Sequence, residues 1–199
     1  MKKPHIIIIA GPNGAGKSTT AQTLLQGTLG VTEFVNADVI AQGLSAFNPE
    51  RAAFQAGRVM LKRLQQLAEE REDFAFETTL ASRTFAHWIQ ELKGTGYAFH
   101  LFFLWLPVPE FAVARVAERV EMGGHNVPED TIRRRYQAGL SNFFTHYRHL
   151  ADSWFFYDNS QSTGPLLMAS GQKESGTLVN NTVVWQQITE EYDGSTVQR

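Results

Sequence analysis

Short apolar runs alternate along the chain with longer segments in which apolar residues recur every three or four positions. That alternation predicts a parallel sheet covered by helices. His5–Ala10 is a β-branched run suited to a buried first strand, Gly11–Gly16 is a glycine-rich turn, and Lys17 to Gln26 has the character of a helix. Glu33–Ala37 predicts a short second strand. Asn48 followed by Pro49 has the form of a helix cap and first helical residue. From there Phe54, Gly57, Leu61, Leu64 and Ala68 predict one amphipathic helix to Arg71. Phe74–Thr78 predicts a third strand. Ser82 is placed to cap a helix running to Lys93, which Gly94 and Gly96 would end. Tyr97–Leu106 is the longest apolar run, apolar on both faces, as a central strand covered from both sides would be.

Pro109 then opens a helix to Met122, and the turn GGHNVPED follows. Pro128 stands near the start of the next helix, where Ile132, Tyr136, Leu140, Phe143, Tyr147 and Leu150 form one stripe. Trp154–Asp158, Leu166–Ala169 and Thr177–Asn180 predict strands, and Thr182–Glu191 a last helix. The pattern describes one α/β domain over residues 1–192, with 193–199 expected as a frayed tail.

Composition narrows the classes. The 199 residues carry 18 Lys+Arg against 20 Asp+Glu, a net charge of -2, which argues against a protein built to coat nucleic acid. Cys is absent, so disulfides, a thiol nucleophile and thiolate metal sites are excluded. The apolar run after Lys2 and Lys3 is too short for a signal peptide. No apolar stretch reaches the roughly 18 residues of a membrane span. A cytoplasmic protein without a membrane partner is the expectation.

One motif carries chemistry. Gly11, Pro12, Asn13, Gly14, Ala15, Gly16, Lys17 and Ser18 fit G-x-x-x-x-G-K-S/T, with an apolar strand entering and a helix leaving. Glycines let backbone N–H groups wrap a phosphate, and the helix N-terminus adds partial positive charge. Lys17 is expected to reach the β- and γ-phosphates of ATP, the Ser18 hydroxyl to ligate Mg²⁺, and Thr19 to join the nucleotide site. An N-K-x-D base-reading motif is missing. Only Ser170-Gly171-Gln172 echoes the transporter signature, and no suitable strand follows it. GTP switches and transporter ATPases are therefore disfavoured, leaving a small-molecule kinase.

Ligands of a doubly wound sheet gather beyond the carboxyl ends of its strands. Asp38, just after the second strand, is there either a helix cap or a carboxylate that orients and deprotonates an acceptor hydroxyl. Glu77 ends the third strand, with Thr78 and Thr79 beside it. Arg115, Arg119, His125, Arg133, Arg134 and Arg135 flank the GGHNVP turn. They form either a helical arginine lid over about 115–136 or a solvated charged face. Ile132 and Tyr136 take the core side, which directs Arg133 and Arg134 away from it. His100 is expected in the core, and His87, His146 and His149 lack partners at metal-ligand spacing. Phe143, Phe144 and Tyr147 are expected as core rather than as stacking residues for nucleic acid.

Together GPNGAGKSTTA, FVNADVIAQGL, FAFETTL and RVAERVEMGGHNVPEDTIRRRYQAGLSNF resemble the zeta toxin family of P-loop kinases, with WFFYDNS as a fifth piece. The resemblance spans about Ile6 to Ser160. It implies a three-layer P-loop fold with a central parallel sheet and an arginine lid, ATP and Mg²⁺ as cofactors, and phosphoryl transfer to the 3′-hydroxyl of UDP-N-acetylglucosamine or a related sugar nucleotide. By position, Asp38 matches the catalytic base, Lys17 the P-loop lysine, and Glu77 the acidic residue after the third strand. Thr79 and His125 fall on the substrate side. Arg119 matches the first lid arginine, and the second falls within Arg133–Arg135, with Arg134 favoured by its direction. An antitoxin protein is an implied partner. A kinase for another small molecule, such as an antibiotic or nucleoside, and a nucleotide-binding switch with weak ATPase activity are the alternatives.

Overall fold

The computed structural model describes residues 3–124 and 126–193. The β-branched run forms β1 (His5–Ala10), buried from Ile6 onward. The helix after the glycine turn is α-helical over α1 (Lys17–Gln22) and continues as a wider π-helical stretch over Thr23–Leu29. Gly30, in the left-handed region, ends it, and the Val31 N–H donates to Leu25 O at 3.1 Å across the closing turn. β2 (Glu33–Val35) stops earlier than the apolar run suggests, because Asn36 caps a helix that the sequence reading did not contain, α2 (Ala37–Leu44).

α3 (Pro49–Glu69) starts at the expected proline. Its buried face is Ala52, Ala56, Met60, Leu64 and Leu67, and Phe54 is 81% exposed. The stripe read through Phe54 and Leu61 is thus corrected. Two series at helical spacing interleave here, and the alanine series wins because the helix lies close against α2, where Ala41, Ala52 and Ala56 make a small core of their own. β3 (Phe74–Thr78), α4 (Thr84–Gly94), β4 (Ala98–Trp105) and α5 (Pro109–Glu121) follow near their expected places. α6 (Glu129–Asn142) passes through a π-helical turn over Phe143–Tyr147 into α7 (Arg148–Leu150). β5 (Ser153–Asp158), β6 (Leu166–Gln172), β7 (Gly176–Val179) and α8 (Thr182–Tyr192) complete the chain. Of the tail read as frayed, residues 194–199 lie outside the described residues.

The sheet order is β2-β3-β1-β4-β5-β6-β7. The first five strands in that order are parallel, and β6 and β7 add an antiparallel hairpin at one edge. β1 lies between β3 and β4, so the chain crosses from one side of it to the other, and the glycine loop leaves at that switch point. Helices cover both faces. On one face Phe103, Phe143, Phe144 and Phe156, none of them exposed, pack with Trp154 and Trp185. Each such ring contributes roughly 1.5–3 kcal/mol by burial.

At the amino ends of the strands His5 Nδ1 meets His100 Nε2 at 2.8 Å, and His100 Nδ1 meets Ser153 Oγ at 2.8 Å. His100 is therefore hydrogen-bonded within the sheet, but it is half-buried at the strand ends and not in the core, where the sequence pattern predicts it. Burial lowers its pKa, and the neighbouring His5 lowers it further. The unfolded chain consequently binds the proton at a higher pH than the folded one. Stability is complete above the ordinary value of 6.5 and is lost as the pH falls below it, levelling off under the lowered folded value. Replacing His100 with Gln should make the melting temperature fall less steeply than in the wild type between about pH 7.5 and 5.5. Parallel profiles would contradict this assignment.

Candidate active site

The loop from Gly11 to Gly16 leaves β1 and turns into α1. Its path depends on missing side chains. A Cβ at Gly11, where φ is 139°, would lie 2.2 Å from Leu104 O on the neighbouring strand. Lys17 is half-buried, and its Nζ donates to Pro12 O at 2.9 Å. Burial pushes the Lys17 pKa down. The Glu77 and Asp38 carboxylates oppose that, while Arg119 and Arg135 add to it. The Ser18 hydroxyl donates to the Glu77 carboxylate, at 2.9 Å from one oxygen and 3.2 Å from the other. Burial raises the Glu77 pKa, against the nearby Lys17 charge and the Ser18 hydrogen bond. Thr19 is exposed on the same cleft.

The end of β2 supplies Asp38 and a residue the sequence reading passed over. Asn36 is 5% exposed, and its Oδ1 accepts from the N–H groups of Asp38 (2.7 Å) and Val39 (3.3 Å). The helix cap is therefore Asn36 and not Asp38. Asp38 sits in the first turn of α2 with its carboxylate on the cleft. Asn36 Nδ2 also lies 3.5 Å from Ser18 Oγ. An Asn two residues before the Asp, at a strand end, is the signal for this cap.

The end of β3 holds Glu77, Thr78 and Thr79 on the cleft. The following residue, Leu80, has φ 55°, a left-handed conformation that costs a branched residue of order 1 kcal/mol or more. Three contacts hold it there. Its side chain is fully buried, its N–H donates to Thr78 Oγ1 at 3.1 Å, and its carbonyl accepts from Asn142 Nδ2 at 2.7 Å. Asn142 is itself buried, a polar anchor reaching from α6 to this loop. A Cβ on Gly139 would lie 2.4 Å from Thr79 O, so α6 rests directly on the loop.

The arginines divide. Arg119 and Arg135 border the cleft, and both act electrostatically on Lys17. Arg134 is exposed and outside it, so the residue that the structure brings to the site is Arg135. Direction away from the core misled here. The cleft borders the core, and Arg135, one turn after buried Ile132 and beside buried Tyr136, flanks the apolar stripe. Arg133 pairs with Glu129 (2.8 Å) and Glu110 (2.7 Å) and clasps α6 to α5. Arg115 borders the cleft but spends its guanidinium on Asn159 O (2.7 Å) and Ser160 O (3.0 Å). His125 lies outside the described residues.

Lys17, Ser18, Asp38, Glu77, Thr79, Arg119 and Arg135 thus border one cleft of about 510 Å³, whose lining also includes Ala53, Met60 and Phe85. The zeta toxin family model matches residues 1–164. The chain belongs to the zeta toxin family. A cytidylate kinase of Haloquadratum walsbyi is 30% identical over 144 residues, 68% of this chain and 69% of that protein. Among solved structures, the AvrRxo1-ORF1:AvrRxo1-ORF2 complex with sulphate ions superposes with a TM-score of 0.75 at 18% identity, covering 99% of this chain and 66% of that one. The PezAT chromosomal toxin–antitoxin system of Streptococcus pneumoniae gives 0.64 at 15% identity, over 100% of this chain and 82% of that one. The chain therefore spans slightly less than two thirds of the AvrRxo1 chain, and these distant structures share its fold. Among the described residues no helix is long and apolar enough to cross a membrane.

Gly139→Ala tests the contact between α6 and the β3 loop. At an ordinary helix position the change stabilises by about 1 kcal/mol. Here it should destabilise by about 1–3 kcal/mol in denaturant unfolding, because the backbone at Thr79 must move. A gain in stability would show that the contact is not as close as described.

Proposed function

We propose that this zeta toxin family protein is an ATP-dependent kinase that transfers the γ-phosphoryl group to a hydroxyl of a small molecule. A sugar nucleotide of the UDP-N-acetylglucosamine type is the acceptor. The observation that carries the reading is an exposed carboxylate, Asp38, on the cleft that holds the Lys17 ammonium and the Arg119 and Arg135 guanidinium groups. Phosphoryl transfer asks the protein mainly for positioning and for charge where charge develops. Lys17 and the two arginines supply the positive charge, and Asp38 accepts the proton that the acceptor hydroxyl loses on attack. Glu77 and Thr79 line the acceptor side.

The residues fit Mg²⁺ with ATP. Side-chain-free positions line the loop, and the Ser18 hydroxyl and Glu77 carboxylate converge as hard oxygen donors. Ser18 would hold the ion directly and Glu77 through its shell. The bound ion supplies neutralisation of phosphate charge. The cytidylate kinase relative raises a second reading, an acceptor that is itself a phosphate. A phosphate oxygen is already ionised and needs no base, so Asp38 favours the hydroxyl. The PezAT neighbour supports an antitoxin protein as a partner.

Mass spectrometry of reactions with ATP, Mg²⁺ and a panel of UDP-sugars tests the acceptor. A phosphorylated UDP-N-acetylhexosamine is expected, and its absence across the panel would remove the sugar-nucleotide assignment. Asp38→Asn should abolish transfer while ATP binding survives, and full activity in that variant would dismiss Asp38 as the base. Arg135→Ala should slow transfer by about 10²–10³ while Arg134→Ala stays near the wild type. The reverse ranking would return the lid role to Arg134.

A further inference from the structure

Asn159, in the loop after β5, is held on three sides. Its backbone N–H donates to Trp105 O at 2.9 Å, and its backbone carbonyl accepts from Arg115 at 2.7 Å. Its side-chain Nδ2 donates to Ala15 O, inside the phosphate loop, at 2.7 Å. The next residue is fixed as well. Ser160 N–H donates to Asp158 Oδ1 at 2.8 Å, and Ser160 O accepts from the same Arg115 guanidinium at 3.0 Å. Gly16 has room for this arrangement only because it lacks a side chain, since a Cβ there would lie 2.8 Å from Asn159 Nδ2. A Cβ on Gly14 would lie 3.1 Å from the Cβ of Arg115, so α5 rests on the loop at the point where it sends out that arginine.

We propose that Asn159 and Arg115 are positioning residues, a staple that sets the phosphate loop in its anion-binding form and fastens the root of the arginine-bearing helix to it. This inference rests on the kinase reading above. In a planar trans peptide the C=O and the following N–H point in opposite directions. Drawing Ala15 O outward to Asn159 therefore turns the Gly16 N–H inward, toward the space that a phosphate would fill. Arg115 acts one step back. It holds the carbonyl of the residue that holds the loop, with both ends of its guanidinium engaged. Because α5 also carries Arg119, the same staple fixes how far Arg119 stands from Lys17. The role of Arg115 is thus separate from that of Arg119 and Arg135, although it borders the same cleft.

Calorimetric binding of a non-hydrolysable ATP analogue and of inorganic triphosphate, each with Mg²⁺, tests the staple without needing an acceptor. Asn159→Ala should weaken the Kd of both ligands by about five- to tenfold, the worth of one hydrogen bond. Asn159→Asp, which keeps the shape but cannot donate to Ala15 O, should weaken both further. Arg115→Met should weaken both as well, and its effect should shrink when Asn159 is already Ala, because it acts through that residue. Melting temperatures without ligand report folding separately, and Arg115→Met keeps the test intact if an Asn159 variant fails to fold. Unchanged Kd values in the variants, beside a wild type that binds both ligands, would overturn the staple alone. A loss confined to the ATP analogue, with inorganic triphosphate unaffected, would also overturn it, since the loop would then be touching the nucleoside. A wild type that binds neither ligand would overturn the kinase reading and this one with it.

Discussion

The half-buried ammonium of Lys17 is the constraint around which the site is built. Withdrawing a cation from water is costly unless charges and hydrogen bonds replace what the solvent supplied. Here the replacements come from separate elements: Pro12 O from the loop itself, Glu77 from the end of β3, and Asp38 from the first turn of α2. Neither carboxylate would stand near Lys17 without the strand order that puts β3 next to β1 and β2 next to β3. Arg119 and Arg135 push the other way and lower the Lys17 pKa. The cleft thus gathers four cations, Lys17, Arg115, Arg119 and Arg135, against the two carboxylates of Asp38 and Glu77, a surplus of positive charge suited to a polyanion.

That balance explains why so much structure is spent on backbone control near the cleft. Leu80 is kept in a left-handed conformation by a threonine, a buried asparagine and its own burial, so that Glu77 and Thr79 stay where β3 delivers them. Asn36 caps α2 and so aims Asp38 into the cleft. Gly139 lets α6 lie against the Thr79 carbonyl, which brings Arg135 within reach of the same space. Asparagines and glycines do this work because each supplies a hydrogen bond or an absence of atoms at one backbone position.

Much of this was legible in the chain. The strand–glycine loop–helix unit, the central apolar strand and the acidic residues at strand ends follow from local pattern, and β1, β3 and β4 form near where the apolar runs predict them. Four things were not legible. α2 is short, and its cap hides behind the more conspicuous Asp38. The buried stripe of α3 is made of alanines, which carry less hydrophobic signal than the exposed Phe54 beside them. Arg135 faces the cleft although it borders the apolar stripe, a distinction set by how α6 lies on the β3 loop. Asn159 and Asn142 act across separations of 144 and 62 residues, and no local spacing reveals such partners.

The most direct measurement is a crystal structure of the protein with Mg²⁺ and a non-hydrolysable ATP analogue. Lys17 Nζ should leave Pro12 O for the terminal phosphate oxygens, and the Ser18 hydroxyl should leave Glu77 for the metal. Both side chains would then be seen holding in the free protein the positions that the triphosphate takes over. A nucleotide bound elsewhere, with Lys17 still on Pro12 O and Ser18 still on Glu77, would contradict the account.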